Sequence, residues 1–112
     1  MSAVTTHVLD TGRGTPAEGV LVRLERASGA GAVRIGSART GSDGRVRDLG
    51  PADLQAGTYR LVFDTAEYFA AHGHQAAFFP EVVVTFAVDG TQPHHHVPLL
   101  LSPFAYSTYR GS

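Results

Sequence analysis

The chain has 112 residues, 43% of them hydrophobic and 17% charged, with a formal net charge of -1; this is the composition of one globular domain, spanning residues 1–112, rather than of a disordered or fibrous chain. With no Cys and with all nine basic residues Arg, disulfides, thiolate nucleophiles, Cys-based metal sites and lysine Schiff bases are excluded. No basic stripe serves nucleic acid, no apolar run reaches the ~18–20 residues of a membrane helix, and the N-terminus lacks a signal-peptide pattern, so a cytoplasmic protein without nucleic-acid or membrane partners is expected.

In chain order the apolar residues recur mostly with period two, in short runs separated by Gly, Pro, Asp and Ser, the pattern of strands and turns. Val4, Thr6 and Val8 alternate with Thr5, His7 and Leu9, so a first strand presents His7 opposite Val8, and a turn is predicted from Gly12 to Pro16. Val20, Val22 and Leu24 open a hairpin that returns through Val33 and Ile35 after Ser28-Gly29-Ala30-Gly31. Gly41-Ser42-Asp43-Gly44 reads as a tight turn delivering Arg45 and Arg47 to the next extended piece. Tyr59, Leu61 and Phe63 form another strand. One short helix follows, with Asp64 as N-cap, Glu67 three residues on and Gly73 as the closing residue. Val82 to Val88 alternates again, Asp89-Gly90 marks a turn, and His94 to Leu101 reads as one strand. There Pro98 cannot donate to a central ladder, which predicts an edge strand or a bulge. A last strand covers Tyr106 to Tyr109. Seven or eight strands with one short helix predict an all-β sandwich.

Chemistry must come from His, Arg, carboxylates and hydroxyls. In a strand His94 and His96 share a face while His95 looks the other way. His94, His96 and His7 have the residue types of a three-His zinc site; the plainer reading of His94 and His95 is solvated strand histidines near a turn. His72 and His74 are expected to be exposed at the helix C-terminus, without a role. His96 stands at the head of the apolar run Val97-Pro98-Leu99-Leu100-Leu101, an ionisable group suited to acid–base work or a core His satisfied by a carbonyl. Arg45 is a solvated surface Arg unless it faces a cleft, where its guanidinium could hold a developing oxyanion. The tail Tyr106 to Ser112 reads as a continuing strand held against something.

Thr6-His7-Val8-Leu9-Asp10, Thr40-Gly41-Ser42-Asp43-Gly44-Arg45, the His94 to Pro103 segment and the terminal Tyr109-Arg110-Gly111-Ser112 together resemble the 5-hydroxyisourate hydrolases, the transthyretin-related family of purine catabolism. The resemblance covers the chain from His7 to its last residue, and the tetrapeptide separates these enzymes from the transthyretin carriers. It implies a transthyretin-like sandwich of seven or eight strands with one short helix. It also implies a homotetramer, a dimer of dimers with active sites in the channel between dimers. The implied activity is hydrolytic opening of 5-hydroxyisourate to 2-oxo-4-hydroxy-4-carboxy-5-ureidoimidazoline in urate degradation, a cyclic amide hydrolysis with neither metal nor other cofactor. The family's functional residues carry over onto His7, Arg45, His96 and Ser112 as catalytic groups. Tyr109, Arg110 and Gly111, with His7 and Arg45, become substrate-binding groups. His95 stands where the family often has Tyr. The competing readings are a small-ligand carrier of the same fold and a zinc hydrolase using His7, His94 and His96.

Overall fold

The computed structural model describes residues 2–74 and 76–112. The strands are β1 (Val4–Asp10), β2 (Thr15–Pro16), β3 (Leu21–Ser28), β4 (Gly31–Arg39), β5 (Arg45–Val46), β6 (Gly57–Asp64), β7 (Glu81–Val88), β8 (His95–His96), β9 (Leu99–Ser102) and β10 (Ala105–Thr108); helix α1 (Thr65–Ala71) lies between β6 and β7. They form two sheets. One has the order β4-β3-β6-β7; the other has the order β10-β9-β1-β2, with β5 and β8 also paired to β1. The sandwich with one short helix is as predicted. Three of the strands are only two residues long, and one of these, β2, occupies the end of the expected Gly12 to Pro16 turn.

The apolar alternation explains the core. Val22, Leu24, Leu61, Phe63 and Val82 project inward from one sheet and meet Val4, Val8, Leu99 and Leu101 from the other, all essentially buried. Burying side chains of this size stabilises by about 1.5–3 kcal/mol each before conformational entropy is subtracted. Among the described residues no helix is long and apolar enough to cross a membrane.

The helix signals operate as read. The Asp64 carboxylate accepts from the Glu67 N–H at 3.2 Å. At the other end the Gly73 N–H donates to the Ala70 carbonyl and the His74 N–H to the Phe69 carbonyl, which closes the last turn in a Schellman pattern. His72 and His74 are exposed.

The segment from His94 to Leu101 departs from its prediction in an instructive way. It is not one strand but β8 and β9, separated at Val97-Pro98. Nor is it an edge, because β9 lies between β10 and β1. There is no bulge either: Val4 pairs with His95 and Val8 with Leu99, both in parallel register with the same offset. The missing Pro98 N–H interrupts the ladder without shifting it, and the interruption falls opposite His7. The final strand ends at Thr108, leaving Tyr109 just outside.

One buried polar contact ties the helix to the central strand. The Tyr68 hydroxyl donates to the Asp10 carboxylate at 2.6 Å, and the other Asp10 oxygen accepts from the Arg13 N–H at 3.0 Å. Burial, reinforced by the hydrogen bond to Asp10, raises the Tyr68 phenol above its ordinary range. Tyr68→Phe would leave a buried carboxylate oxygen without its donor, so the variant should unfold about 1–3 kcal/mol more easily. The check is a lowered urea midpoint with an unchanged denaturant slope.

Candidate active site

Strand pairing assembles the site. Thr5 pairs with His96 and His7 with Arg45; paired residues share a face, as do residues two apart on one strand. Thr5, His7, Arg45, His94 and His96 therefore crowd one face of the β1 sheet, while Val4, Val8 and His95 point to the other. His95 is accordingly not the solvated residue its position suggested. It is only 9% exposed, its ring centroid is 6.4 Å from that of Phe86, and its Nε2 is buried without a hydrogen-bond partner. Burial is the main cause holding its imidazole below the usual range.

Each imidazole on the site face has one nitrogen engaged. His7 Nε2 donates to the Asp43 carbonyl at 2.9 Å; since a carbonyl only accepts, Nε2 carries a proton, and in the neutral ring the lone pair is on Nδ1. His96 Nδ1 lies 2.8 Å from the Thr5 hydroxyl, which leaves Nε2 as its available nitrogen. The same hydroxyl lies 3.0 Å from His94 Nε2.

The turn Gly41 to Gly44 supplies the rest. Its closing bond runs from the Gly44 N–H to the Gly41 carbonyl at 2.9 Å. Gly44 has φ +77°, and a Cβ there would stand 2.4 Å from the Val8 carbonyl oxygen, so only glycine brings this turn against β1. The Asp43 carboxylate accepts from the Arg45 backbone N–H and from the Arg47 guanidinium, both at 3.0 Å. The first of these contributes most to holding that carboxyl below its ordinary range. Among the described residues no carboxylate pairs with the Arg45 guanidinium, which leaves it available to an incoming anion or oxyanion.

Arg45, His96 and Ser112 line one cavity of about 220 Å³, together with Thr5, Arg47 and His94. The tail is fixed there by the Gly111 N–H, which donates to the His96 carbonyl at 2.8 Å. A Cβ on Gly111 would meet the His96 ring at 2.5 Å, so the glycine lets the tail lie flat on the imidazole. Tyr109 and Arg110 are placed differently. They line a second cavity of about 350 Å³, with Phe86, His95 and Thr108, which meets the first only at His96. Thr5 and the Asp43 carbonyl, which orient the two histidines, escaped the sequence reading; Thr5 could have been found from its place two residues before His7. Among the described residues no three His, Cys, Asp or Glu side chains converge closely enough to share a metal ion, so His7, His94 and His96 do not form the three-His cluster considered from the sequence.

The His96 imidazole is held below its ordinary range, first by burial and then by the Arg45 guanidinium, with smaller repulsions from His94 and His7. Its neutral form therefore persists below the pH at which an exposed imidazole would charge, and in the tautomer protonated at Nδ1 its Nε2 can accept a proton at neutral pH.

Comparison with known proteins bears on this arrangement. The model of the HIUase/Transthyretin family matches residues 4–111. The 5-hydroxyisourate hydrolase of Caulobacter vibrioides is 46% identical, with the whole of each chain covered. The structure of Klebsiella pneumoniae 5-hydroxyisourate hydrolase superposes with a TM-score of 0.87 at 38% identity, covering all of both chains. Transthyretin from Sparus aurata superposes with a TM-score of 0.90 at 29% identity, covering 99% of this chain and 97% of that one.

Removing the Arg45 charge should relieve part of the repulsion on His96. In Arg45→Ala the His96 titration midpoint is expected to move upward, towards that of an exposed imidazole. Ring-proton NMR titration of both proteins measures the shift; a midpoint that stays or falls would contradict the assigned cause.

Proposed function

The chain belongs to the HIUase/Transthyretin family, and from that premise we infer that it is an enzyme hydrolysing 5-hydroxyisourate in urate degradation. The observation that carries this reading is the convergence of two oriented imidazoles, a guanidinium without a carboxylate partner and Ser112 on one sheet face. Ring opening of a cyclic amide needs a base for the attacking water, a donor for the oxyanion and a proton for the departing nitrogen.

His96 and His7 supply lone pairs at Nε2 and Nδ1 respectively and hold the water. The base takes its proton as the oxygen bonds to the carbonyl carbon. Arg45 stabilises the negative charge developing on the carbonyl oxygen, and Ser112 fixes the planar substrate by its hydroxyl. When the carbon–nitrogen bond breaks, the proton held on imidazole passes to the nitrogen, so water is added overall and no cofactor is consumed. Tyr109, Arg110 and Gly111 act from the tail: Gly111 seats His96, and Tyr109 and Arg110 close the far side of that residue.

The active unit in this proposal is a cytoplasmic homotetramer, a dimer of dimers. It is supported by β7 and β10, two of the four strands at the ends of the sheet orders, which are paired on one side among the described residues and carry exposed Val83 and Tyr106; such edges favour pairing with a second copy. The carrier alternative draws on the superposition with Sparus aurata transthyretin. A carrier, however, gains nothing from two oriented bases beside an unpaired guanidinium.

The test is to generate 5-hydroxyisourate with urate oxidase and follow its decay. Acceleration by this protein is expected, insensitive to chelators. His7→Asn and His96→Asn should each lower turnover by about 10²–10⁴-fold, with the oligomeric state unchanged by size-exclusion chromatography. Decay at the spontaneous rate, with tight binding of a small aromatic ligand, would favour the carrier.

A further inference from the structure

The Thr5 hydroxyl stands between two imidazoles, 2.8 Å from His96 Nδ1 and 3.0 Å from His94 Nε2. A hydroxyl has one proton and two lone pairs; when that proton lies between the two rings, it donates to one and accepts from the other. Two neutral arrangements place it there. In the first, His96 Nδ1–H donates to Thr5 and Thr5 donates to His94 Nε2, which leaves a lone pair on His96 Nε2. In the second every bond is reversed: His94 Nε2–H donates to Thr5, Thr5 donates to His96 Nδ1, and His96 carries its proton on Nε2.

We propose that His94 is a positioning residue that acts through the Thr5 hydroxyl to set which nitrogen of His96 is free. The proposal deepens the hydrolase reading and rests on it. Thr5 is 7% exposed, so water competes poorly for its hydroxyl, whereas His94 is exposed. Once charged, His94 has N–H on both nitrogens, so of these two arrangements it permits only the second, with no lone pair on His96 Nε2. With His94 neutral the first arrangement is open, and the chemistry balances without moving the network. A water O–H bond breaks, its proton goes to His96 Nε2, and Nδ1–H keeps donating to Thr5. The same proton later leaves Nε2 for the ring nitrogen released from the carbonyl carbon. The other groups facing His94 across the cavity are Arg45 of β5, Arg47 just after that strand, His96 of β8 and Ser112 of the tail, with His7 of β1 beside Arg45. Arg45 and Arg47 can only donate, and among the described residues the hydrogen bond of the His94 ring is the one to the Thr5 hydroxyl.

The test uses the full-length protein with ¹⁵N-labelled histidine. Long-range ¹H–¹⁵N spectra report the protonated nitrogen of each ring as pH is lowered, and kcat and KM for 5-hydroxyisourate are measured over the same range. In the unsubstituted protein His96 should change from Nδ1–H to Nε2–H in step with the protonation of His94, and kcat should fall with it. His94→Ala should abolish that coupled change and carry the acid limb of kcat to lower pH. Thr5→Val should lower kcat about 10- to 100-fold, as losses of orienting partners do, with KM changed by less than about 2-fold, and Thr5→Ser should restore it. His94 is a surface residue, so its variant tests the coupling even if Thr5→Val fails to fold. Persistence in His94→Ala of the same pH-dependent change of His96 tautomer and the same acid limb overturns the proposal. Absence of 5-hydroxyisourate turnover in the unsubstituted protein instead overturns the hydrolase reading, and the spectra still decide the coupling.

Discussion

Everything at the site hangs on the parallel pairing of β1 with the segment that follows the Asp89-Gly90 turn. The offset is the same on both sides of Pro98: Thr5 opposite His96, Val8 opposite Leu99. Because sheet residues alternate in facing, this one register decides that His96 joins Thr5 and His7 while His95 joins Val4. A slip of one residue would exchange them, burying His96 in the core and presenting His95 to the site. The register is in turn held by burial of Val8, Leu99 and Leu101, so the hydrophobic core and the catalytic face are specified by the same alternation.

That coupling accounts for the ring of supports around the two histidines. Gly44 brings the Asp43 carbonyl within reach of His7 because no Cβ intrudes on Val8. Gly111 brings the tail onto His96 for the same reason. Pro98 interrupts the ladder opposite His7 at no loss of register, since the paired stretches on either side keep the alignment. Each device is a local backbone feature that would mean little alone; arranged around β1 they fix imidazoles to within hydrogen-bond tolerance, the precision that proton transfer demands.

Much of this is written in the sequence. The strand alternation, the Asp64 and Gly73 helix ends, the Gly41 to Gly44 turn and the separation of His94 and His96 from His95 all follow from local periodicity and turn chemistry. What escapes is whatever depends on a partner distant in sequence. The proline rule anticipated an edge or bulge at Pro98, but a missing N–H weakens only its own rung, and the strands flanking β9 were not visible locally. His95 looked solvated because its neighbours are polar and a turn is near; its burial is dictated by Phe86 and the opposing sheet. The local signal of Thr5 is no more than its place two residues before His7, and its importance comes from facing two histidines 89 and 91 residues away.

The electrostatics of the face complete the logic. Three imidazoles and two guanidinium groups on one surface would be expected to attract carboxylates, and a carboxylate beside His96 would raise its proton affinity and spoil it as a base at neutral pH. The one carboxylate that the turn brings near, Asp43, is committed elsewhere: its oxygens accept from the Arg45 backbone and the Arg47 side chain. Arg45 is thereby left without a carboxylate partner beside His96, where burial first and this guanidinium second hold the imidazole below its ordinary range; in the proposed reaction the same guanidinium meets the oxyanion formed when the imidazole takes its proton. In the proposed reaction base strength is given up to keep the imidazole unprotonated, and the same positive charge would favour the transition state, where negative charge appears on the substrate. A ligand carrier on this sandwich has no use for such a bias, which is why the charge arrangement of this face, more than the fold, distinguishes catalysis from carriage.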